Sequence, residues 1–310
     1  MLAHAATAAA VVVSALLLAR AVRRRRRSTR LCTSFPPPSF VISLARFPAK
    51  RASVVRRAAE AGLTQLSVFE AVDGRELSMA ELHRRGACTY ASWRLESTGF
   101  RFFDRELKWG EVGCGLSHLG VWRQIAELPA PAGGAGVGPV GLVLEDDVEF
   151  APGFAELLRA VIDEVHALVA AGTIDEPDGC YLYRKAMRPE HDRLLPRSSR
   201  AACEGSGAAG GGTAARLLVP GFSYTTTAYL LWSRGAQKLL ASGYESKLIP
   251  VDDFLALLYA EHEARPGIPR PDLDALYAAA PRLNMLAVRP NLCWARRGVS
   301  TTENSSLITE

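Results

Sequence analysis

The segment GLVLEDDVEF, residues 141–150, places an apolar run directly before three consecutive carboxylates. The apolar part has the length and composition of a buried strand. Carboxylates this close together repel one another unless a cation, a helix N-terminus or solvent compensates them. In an open α/β sheet, ligands bind beyond the carboxyl ends of the strands. The segment therefore predicts a ligand site at Glu145, Asp146 and Asp147.

Side chains alternate along an extended chain, which would place Glu145 and Asp147 on one side and Asp146 on the other. Two oxygen ligands on one side suit Mn²⁺ or Mg²⁺, especially when a substrate diphosphate supplies further ligands. An acidic turn that caps the following helix would use the same residues. The triplet alone leaves both interpretations open.

The flanking sequence alternates between strand and helix patterns. FVISL (40–44), a helical stretch that stops at Gly62, and LSVFEAV (66–72) form the strand–helix–strand unit of parallel sheets. Apolar residues recur at helical spacing in 108–128 and 154–168, whereas GCYLYRKA (179–186) and SYTTTAYLLW (223–232) are typical of strands. We therefore predict one α/β domain over residues 40–300, followed by a tail at 301–310.

Composition and charge argue against two classes of function, nucleic-acid binding and structural zinc binding. The chain has 310 residues, 48% of them hydrophobic, which is enough for a large core. Arg20 and the arginines at 23–27 supply six positive charges, and removing them from a formal net charge of +5 leaves about −1. Nucleic-acid binding needs a basic face on the folded part, so we predict no nucleic-acid partner. The six cysteines lack zinc-like spacing, and we expect neither a structural zinc site nor a fold that depends on disulfides.

The N-terminal residues 1–30 are apolar up to an arginine cluster and predict a signal anchor or targeting segment. A Pro-rich linker at 31–39 follows it. This pattern favours attachment to a membrane and a location in the endoplasmic reticulum or Golgi. The charge-free stretch 5–19 is shorter than the ~20 residues of a typical span. Arginines after an apolar run favour a cytoplasmic C-terminal part, so the two topology signals conflict. The sequence shows no sustained heptads and predicts no oligomeric state.

Six segments together resemble glycosyltransferase family 25. They are FVISLARFPAKR (40–51), FEAVDG (69–74), GEVGCGLSHLGVW (110–122), LVLEDDVEF (142–150), SYTTTAYLLWSRGAQKLL (223–240) and IPVDDFL (249–255). Their order and spacing are most similar to the catalytic domain of procollagen galactosyltransferases, and more distantly to bacterial lipooligosaccharide galactosyltransferases. The resemblance covers about residues 40–300.

The resemblance implies a GT-A fold, a Rossmann-like α/β domain with a mixed, mostly parallel central sheet. It also implies metal-assisted, inverting transfer of a hexose from a UDP-sugar to a hydroxyl acceptor. UDP-galactose is the expected donor and UDP-glucose the alternative. The acceptor would be hydroxylysine of a collagen-like protein or a glycan. A family member that keeps the fold as a non-catalytic binding or adhesion module is a further alternative.

For the chemistry, the resemblance assigns Mn²⁺ or Mg²⁺ to Glu145 and Asp147, where the cation would stabilise the departing UDP. Asp252, in the family-like PVD segment, is the candidate base that deprotonates the acceptor hydroxyl. Asp252 or Asp253 could instead cap the helix that follows.

The resemblance also assigns six residues to donor binding: Ser43, Leu44, Asp73, Glu111, His118 and Asp146. Several have structural alternatives, since Asp73 with Gly74 forms an ordinary turn motif and a lone histidine is often structural. Arg46 and Arg51 either contact phosphate or are solvated helix charges. Tyr224 and Thr226 either border the acceptor or pack on a strand. Relatives carry a metal-binding histidine near the C-terminus, where this chain has Arg296 and Arg297.

Overall fold

The apolar run before the carboxylates forms a central strand, Val140–Glu145 (β3), every residue of which from Gly141 to Leu144 is buried. The structure is a computed structural model and describes residues 35–90, 107–130, 137–198, 215–261, 275 and 277–296. Strand β3 is parallel to Ser39–Ser43 (β1) and antiparallel to Ser223–Trp232 (β8). It is therefore covered on both edges, as expected of a continuous apolar strand.

The other strands of this sheet are Leu66–Glu70 (β2), Gly179–Ala186 (β5), Arg193–Leu194 (β6), Arg216–Val219 (β7) and Met285–Arg289 (β9). Within the described residues the strand order is β2-β1-β3-β8-β5-β9-β7-β6. Strands β7 and β8 run against the other six. This arrangement confirms the predicted α/β fold with a mixed, mostly parallel sheet. A separate antiparallel pair joins Val148–Phe150 (β4) to Cys293–Ala295 (β10).

Six helices are described: Pro48–Glu60 (α1), Met79–Arg84 (α2), Trp109–Ala126 (α3), Phe154–Ala170 (α4), Ser233–Ala241 (α5) and Val251–Tyr259 (α6). Helix α1 begins with proline, which suits the first turn, and the chain leaves it through Gly62 at φ 85°. Helix α3 is apolar on nearly all sides and buried, and it packs against α5 and α6. Trp122 of α3, Tyr244 and Phe254 of α6 form an aromatic cluster at this junction, with Tyr244 and Phe254 stacked at 4.1 Å.

The predicted linker at 31–39 extends too far toward the C-terminus. Pro36 and Pro37 are buried, Gln65 Nε2 donates to Pro36 O at 2.8 Å, and Leu142 N donates to Pro38 O at 2.9 Å. Prolines cannot donate a backbone hydrogen bond, but their carbonyls accept normally, and here they extend the sheet's hydrogen bonding. Residues 36–39 therefore belong to the folded domain.

The segment 1–30, the beginning of the predicted linker and the tail at 301–310 lie outside the described residues. Of the helices that are described, none combines the length and apolar character needed to cross a membrane. Of the cysteines that the structure describes, Cys88, Cys114, Cys180 and Cys293 are free thiols.

Candidate active site

The acidic triplet lies at the carboxyl end of β3, where the chain turns into β4. Glu145 is the last residue of the strand, and Asp146 and Asp147 form the turn. The predicted alternation along an extended segment is therefore wrong for the last two residues. Glu145 and Asp146 nevertheless have different partners: Glu145 contacts α3 and β8, and Asp146 contacts β1 and α1.

Asp146 is bound to β1 and α1. Its Oδ2 accepts a 2.9 Å hydrogen bond from Ser43 Oγ, and its Oδ1 lies 2.5 Å from Lys50 Nζ. Arg57 Nη2 donates to the Asp146 carbonyl at 3.0 Å, and Arg57 Nε donates to Val148 O at 3.0 Å. One carboxylate of the triplet thus has its own cation, and the turn is fixed to helix α1.

Glu145 is bound to α3 and β8. Its Oε1 accepts a 2.6 Å hydrogen bond from Thr226 Oγ1 and lies 3.3 Å from His118 Nε2. Burial raises the pKa of Glu145, but His118, Thr226 and Lys50 together outweigh burial and lower it. Glu145 is therefore held as a carboxylate.

Asp147 differs from its neighbours because its Oδ1 is buried and has no hydrogen-bond partner among the described residues. Burial, and then the charge of Glu145, raise the pKa of Asp147 to about 7. Arg296 contributes to the turn through its backbone, since Arg296 N donates to Asp147 O at 2.8 Å. A buried carboxylate oxygen without a donor is a position where a cation would be stabilised.

Two further carboxylates face this triplet from helices. Asp252 is in the first turn of α6, and burial followed by the charge of Glu111 raises its pKa to about 6. Glu111 is in the first turn of α3, and its Oε2 accepts from Lys108 N at 2.8 Å as a helix cap. Asp252 Oδ1 also accepts from Asp253 N at 3.1 Å. This contact is not a helix cap, because Pro250 occupies the N-cap position of α6 and the helix has no side-chain cap bond, so the alternative in which Asp252 or Asp253 caps the helix is wrong.

One partly buried thiol, that of Cys114, is affected by the charges of all these groups. Burial, and after it the charges of Glu145, Asp252, Glu111 and Asp147 in that order, raise the pKa of Cys114 well above its usual value. The ligand atoms of Cys114, His118 and Glu145 also lie within 4.8 Å of one another. The hard oxygen donors of the cluster suit Mn²⁺ or Mg²⁺, whereas the thiol would favour a softer metal.

The N-terminal part of α3 touches the loop after β2 at backbone distance. A Cβ at Gly74 would lie 2.4 Å from Trp109 O, and one at Gly113 would lie 2.5 Å from Val72 O. Ser117 Oγ accepts from Val72 N at 2.9 Å and donates to Gly113 O at 2.6 Å. These contacts explain Gly74 of the FEAVDG segment and Gly113 of the GEVGCG segment, because a side chain at either position would separate the helix from the loop.

The remaining predicted donor residues lie at the ends of β1 and β2. Asp73 caps a short 3₁₀ turn through Arg75 N at 3.0 Å and is ion-paired with Arg46, while Leu44, just after β1, is partly buried. Arg51 Nη2 donates to Ser43 O at 2.9 Å. Arg46 and Arg51 are therefore not simply solvated helix charges, since both hold neighbouring chain segments in place.

Strand β8 is irregular where it passes the triplet. Thr225 has φ 81° and lies between Tyr224 and Ala228, where the pairing of β5 with β8 shifts; a second shift lies between Ala228 and Tyr229. A β-branched residue at positive φ is a conformational outlier that the surrounding structure must enforce. The irregularity lies next to Thr226, whose hydroxyl binds Glu145. Bulges of this kind occur next to active sites, where they re-aim a side chain.

A family model described as "Glycosyltransferase family 25 (LPS biosynthesis protein)" matches residues 37–255. The chain belongs to glycosyltransferase family 25. The match includes all the acidic residues described above and confirms the resemblance seen in the sequence.

Some relatives of this family 25 chain are named as inactive, and others are named as family members or as a galactosyltransferase. "Probable inactive glycosyltransferase 25 family member 3" of Bos taurus is 33% identical over 223 residues, covering 72% of this chain and 32% of the relative. "Glycosyltransferase 25 family member" of Drosophila melanogaster is 30% identical over 252 residues, 79% of this chain and 34% of the relative. "Procollagen galactosyltransferase 1" of Danio rerio is 29% identical over 273 residues, 86% and 39% respectively. The chain thus spans about a third of the length of the curated relatives it matches.

Of the residues assigned to this family 25 site, the structure brings Glu111, His118, Glu145, Asp147 and Asp252 together around Cys114, and places Ser43 on Asp146. Sequence reasoning did not single out Lys50, Cys114 or Tyr229. The helical spacing of Cys114 and His118, four residues apart, was the available signal for the thiol. No local pattern pointed to Lys50 or Tyr229, since each reaches its partner from a distant segment.

Proposed function

We propose that this family 25 member is a metal-assisted hexosyltransferase that uses a UDP-sugar, UDP-galactose first and UDP-glucose as the alternative. The acceptor is a hydroxyl group, on hydroxylysine of a collagen-like protein or on a glycan. The observation that carries the proposal is the buried Asp147 Oδ1, which has no hydrogen-bond partner among the described residues, in a region where the charges of Glu111, Glu145, Asp147 and Asp252 all act on the Cys114 thiol. Four carboxyl groups at one place repel one another and favour a bound divalent cation.

Glu145 and Asp147 are the residues that would hold the cation. Glu145 is kept charged by its neighbours, and Asp147 has the buried oxygen that lacks a donor. Bound there, Mn²⁺ or Mg²⁺ supplies Lewis-acid stabilisation of the negative charge that UDP gains as it leaves. Asp147 is partly protonated near neutral pH in the free chain, so it loses a proton when it becomes a ligand.

Asp252 is the proposed base. The acceptor oxygen forms a bond to the anomeric carbon while the bond from that carbon to the UDP oxygen breaks, and Asp252 takes the acceptor proton. Its pKa of about 6 suits this role, since the group is charged at neutral pH yet more basic than an exposed aspartate. Attack from the face opposite UDP gives the inverted product.

Donor binding is proposed for Ser43, Leu44, Asp73, Glu111, His118 and Asp146. Ser43 and Asp146 are bonded to each other, and Asp73 is neutralised by Arg46. These pairs fix the ends of β1 and β2 next to the triplet. The nucleotide would be recognised at these strand ends, as in other open α/β sheets.

Membrane attachment through residues 1–30 and a location in the endoplasmic reticulum or Golgi complete the proposal. They rest on the apolar and arginine-rich character of that segment.

A non-catalytic binding module is the second candidate. It is favoured by the word "inactive" in the names of mammalian relatives at 33–34% identity. The carboxylates of the acidic cluster favour catalysis instead. The two candidates differ in one measurable property, which is turnover of a UDP-sugar.

The test is release of UDP by the purified full chain from UDP-galactose, UDP-glucose and related donors, in Mn²⁺, in Mg²⁺ and in EDTA. Asp147→Asn removes the proposed ligand charge, and Asp163→Asn on α4 is the matched control outside the cluster. Donor-selective turnover that needs metal and is lost only in Asp147→Asn supports the transferase. Binding of UDP-sugar without turnover would support the module, and turnover unaffected by EDTA and by Asp147→Asn would contradict the metal site.

A further inference from the structure

A fully buried tyrosine hydroxyl lies behind the site, between two other buried side chains. Trp122 Nε1 is 2.8 Å from Tyr229 Oη, and His118 Nδ1 is 2.9 Å from the same oxygen. Tyr229 is 1% exposed, and Trp122 and His118 are 0% exposed. These three groups come from α3 and β8, so the contact also joins the helix to the sheet.

The directions of these hydrogen bonds follow from a count of protons. The indole N–H of Trp122 can only donate, so it donates to Tyr229 Oη. Burial raises the pKa of Tyr229 well above its usual value, and the phenol keeps its proton. Within the described part of the chain, His118 Nδ1 is the acceptor in reach of that proton. Tyr229 therefore donates to His118, and Nδ1 carries no hydrogen.

The other ring nitrogen of His118 is then defined. A neutral imidazole with a bare Nδ1 carries its hydrogen on Nε2. His118 Nε2 lies 3.3 Å from Glu145 Oε1, which also accepts from Thr226 Oγ1 at 2.6 Å. Glu145 thus receives two donors on one oxygen, one from each element that flanks it.

We propose that Trp122, Tyr229 and His118 form a chain of hydrogen-bond donors that ends on Glu145, and that this chain fixes His118 as its Nε2–H tautomer. His118 and Tyr229 are positioning residues, because they act through Glu145. His118 is fully buried, so its proposed part in donor binding is also indirect. The importance of this for turnover rests on the proposed function, whereas the tautomer itself does not.

The chain also decides between two roles for His118. As a metal ligand with Cys114 and Glu145, His118 would present a bare Nε2 and carry its hydrogen on Nδ1. Tyr229 Oη would then face two donors, and its own buried proton would have no acceptor among the described residues. An unpaired buried polar group is costly, so the geometry favours His118 as a donor to Glu145.

The first test is a ¹⁵N NMR measurement on the metal-free full chain labelled at its six histidines. A ring nitrogen that carries a hydrogen and one that does not have different ¹⁵N chemical shifts. The signals of His118 are identified as those that are missing from the spectrum of His118→Gln. We expect hydrogen on Nε2 and none on Nδ1 at pH 7.5 in EDTA. Hydrogen on Nδ1, or on both nitrogens, would overturn the proposal. This result stands whether or not the chain turns over a UDP-sugar.

The second test is Tyr229→Phe, which keeps the ring and removes the hydroxyl. We expect a mixture of His118 tautomers and a KM for Mn²⁺ about ten- to a hundredfold higher, the usual effect of losing a partner behind a metal ligand. Tyr277→Phe is the matched control, since Tyr277 is also buried but donates to Lys247 O.

A second comparison uses His118 itself. His118→Gln retains an N–H donor and should have a lower KM for Mn²⁺ than His118→Leu. Urea titration checks that wild type and Tyr229→Phe are both folded. If the folded Tyr229→Phe variant kept the wild-type His118 tautomer and the wild-type KM for Mn²⁺, the proposed chain of donors would be refuted.

Discussion

Lys50 Nζ lies 2.5 Å from Asp146 Oδ1, so helix α1 supplies the cation for the middle carboxylate of the acidic triplet. In the described part of the chain, Glu145 and Asp147 form no hydrogen bond or ion pair with a lysine or arginine side chain. The triplet is therefore compensated unequally, and charge repulsion is concentrated on Asp147. This inequality leaves Asp147, and not Asp146, as the carboxylate of the triplet that most needs a further cation.

Replacing Lys50 should destabilise the fold. Lys50→Met leaves a largely buried Asp146 with the Ser43 hydroxyl but without its cation, and we expect a loss of roughly 1–2 kcal/mol in the free energy of unfolding. Urea titration at pH 7 measures it. Arg56→Met is the control, because its pair with Glu60 is highly exposed and 3.9 Å long, and such pairs contribute about 0.5 kcal/mol or less. Equal losses in the two variants would contradict a special role for Lys50.

Asp147→Asn should stabilise the metal-free chain at alkaline pH. The pKa of Asp147 is about 7 in the folded chain, against ~3.9 for an unfolded aspartate. The folded state binds the proton more tightly, so this group's contribution to stability falls as pH rises from about 4 to about 7. We expect Asp147→Asn to exceed wild type by roughly 1–3 kcal/mol at pH 8 in EDTA, and the gain to shrink steadily as the pH falls and to vanish only below about pH 4.

Urea titrations at several pH values measure this difference, and added Mn²⁺ provides the control. Mn²⁺ should stabilise wild type more than Asp147→Asn, because ligands that bind only the folded state raise its stability. A variant less stable than wild type at pH 8 in EDTA would show that the Asp147 charge is compensated.

Protonation of Asp252 should cause the fall in kcat/KM at acidic pH. Its pKa of about 6 arises from burial and then from Glu111, so kcat/KM should rise as pH increases through about 6. Asp252→Asn should lower kcat by about 10²–10⁴-fold with UDP-sugar binding retained.

Glu111→Gln tests the cause of this pKa, since glutamine can still accept the cap bond from Lys108 N. Without the Glu111 charge, the fall in kcat/KM should move to lower pH. Steady-state rates from pH 5 to 8.5 measure both effects. An unmoved fall in Glu111→Gln, in a variant that folds normally, would assign the fall to another group.

Thr225→Gly should be more stable than Thr225→Ala. Both variants lose the same buried hydroxyl, which has no partner among the described residues, but only glycine adopts φ 81° without strain. We expect a difference of about 1 kcal/mol in favour of glycine. Thermal and urea unfolding of the pair measures it. Greater stability of the alanine variant would mean that residue 225 is not held at positive φ.

Much of the fold follows from local sequence patterns. The apolar run 141–144 predicts β3, and the strand–helix–strand pattern of residues 40–72 predicts β1, α1 and β2. Helical periodicity predicts α3 and α4. The acidic triplet is predictable as a candidate site because adjacent carboxylates repel one another and lie at the carboxyl end of a strand. Boundaries set by tertiary contacts were missed, as at 36–39, where the proline carbonyls bond to the sheet.

The partners of the acidic residues were not predictable in the same way. Lys50 reaches Asp146 across 96 positions of the chain, and Tyr229 reaches His118 across 111. Such pairs depend on strand order, which periodicity does not reveal. The turn at Asp146 and Asp147 was also missed, because an extended continuation of β3 fits the sequence VEF equally well.

The position of β3 between β1 and β8 has a consequence for truncated fragments and for the chain during its synthesis. One neighbour of β3 precedes it by about a hundred residues, and the other ends at Trp232. A fragment that stops before Ser223 would present an apolar strand with one open edge and Glu145 without Thr226. Open edges of this kind invite pairing between molecules. Expression boundaries should therefore lie beyond β8, and a nascent chain still lacking it is the stage at which aggregation is most favoured.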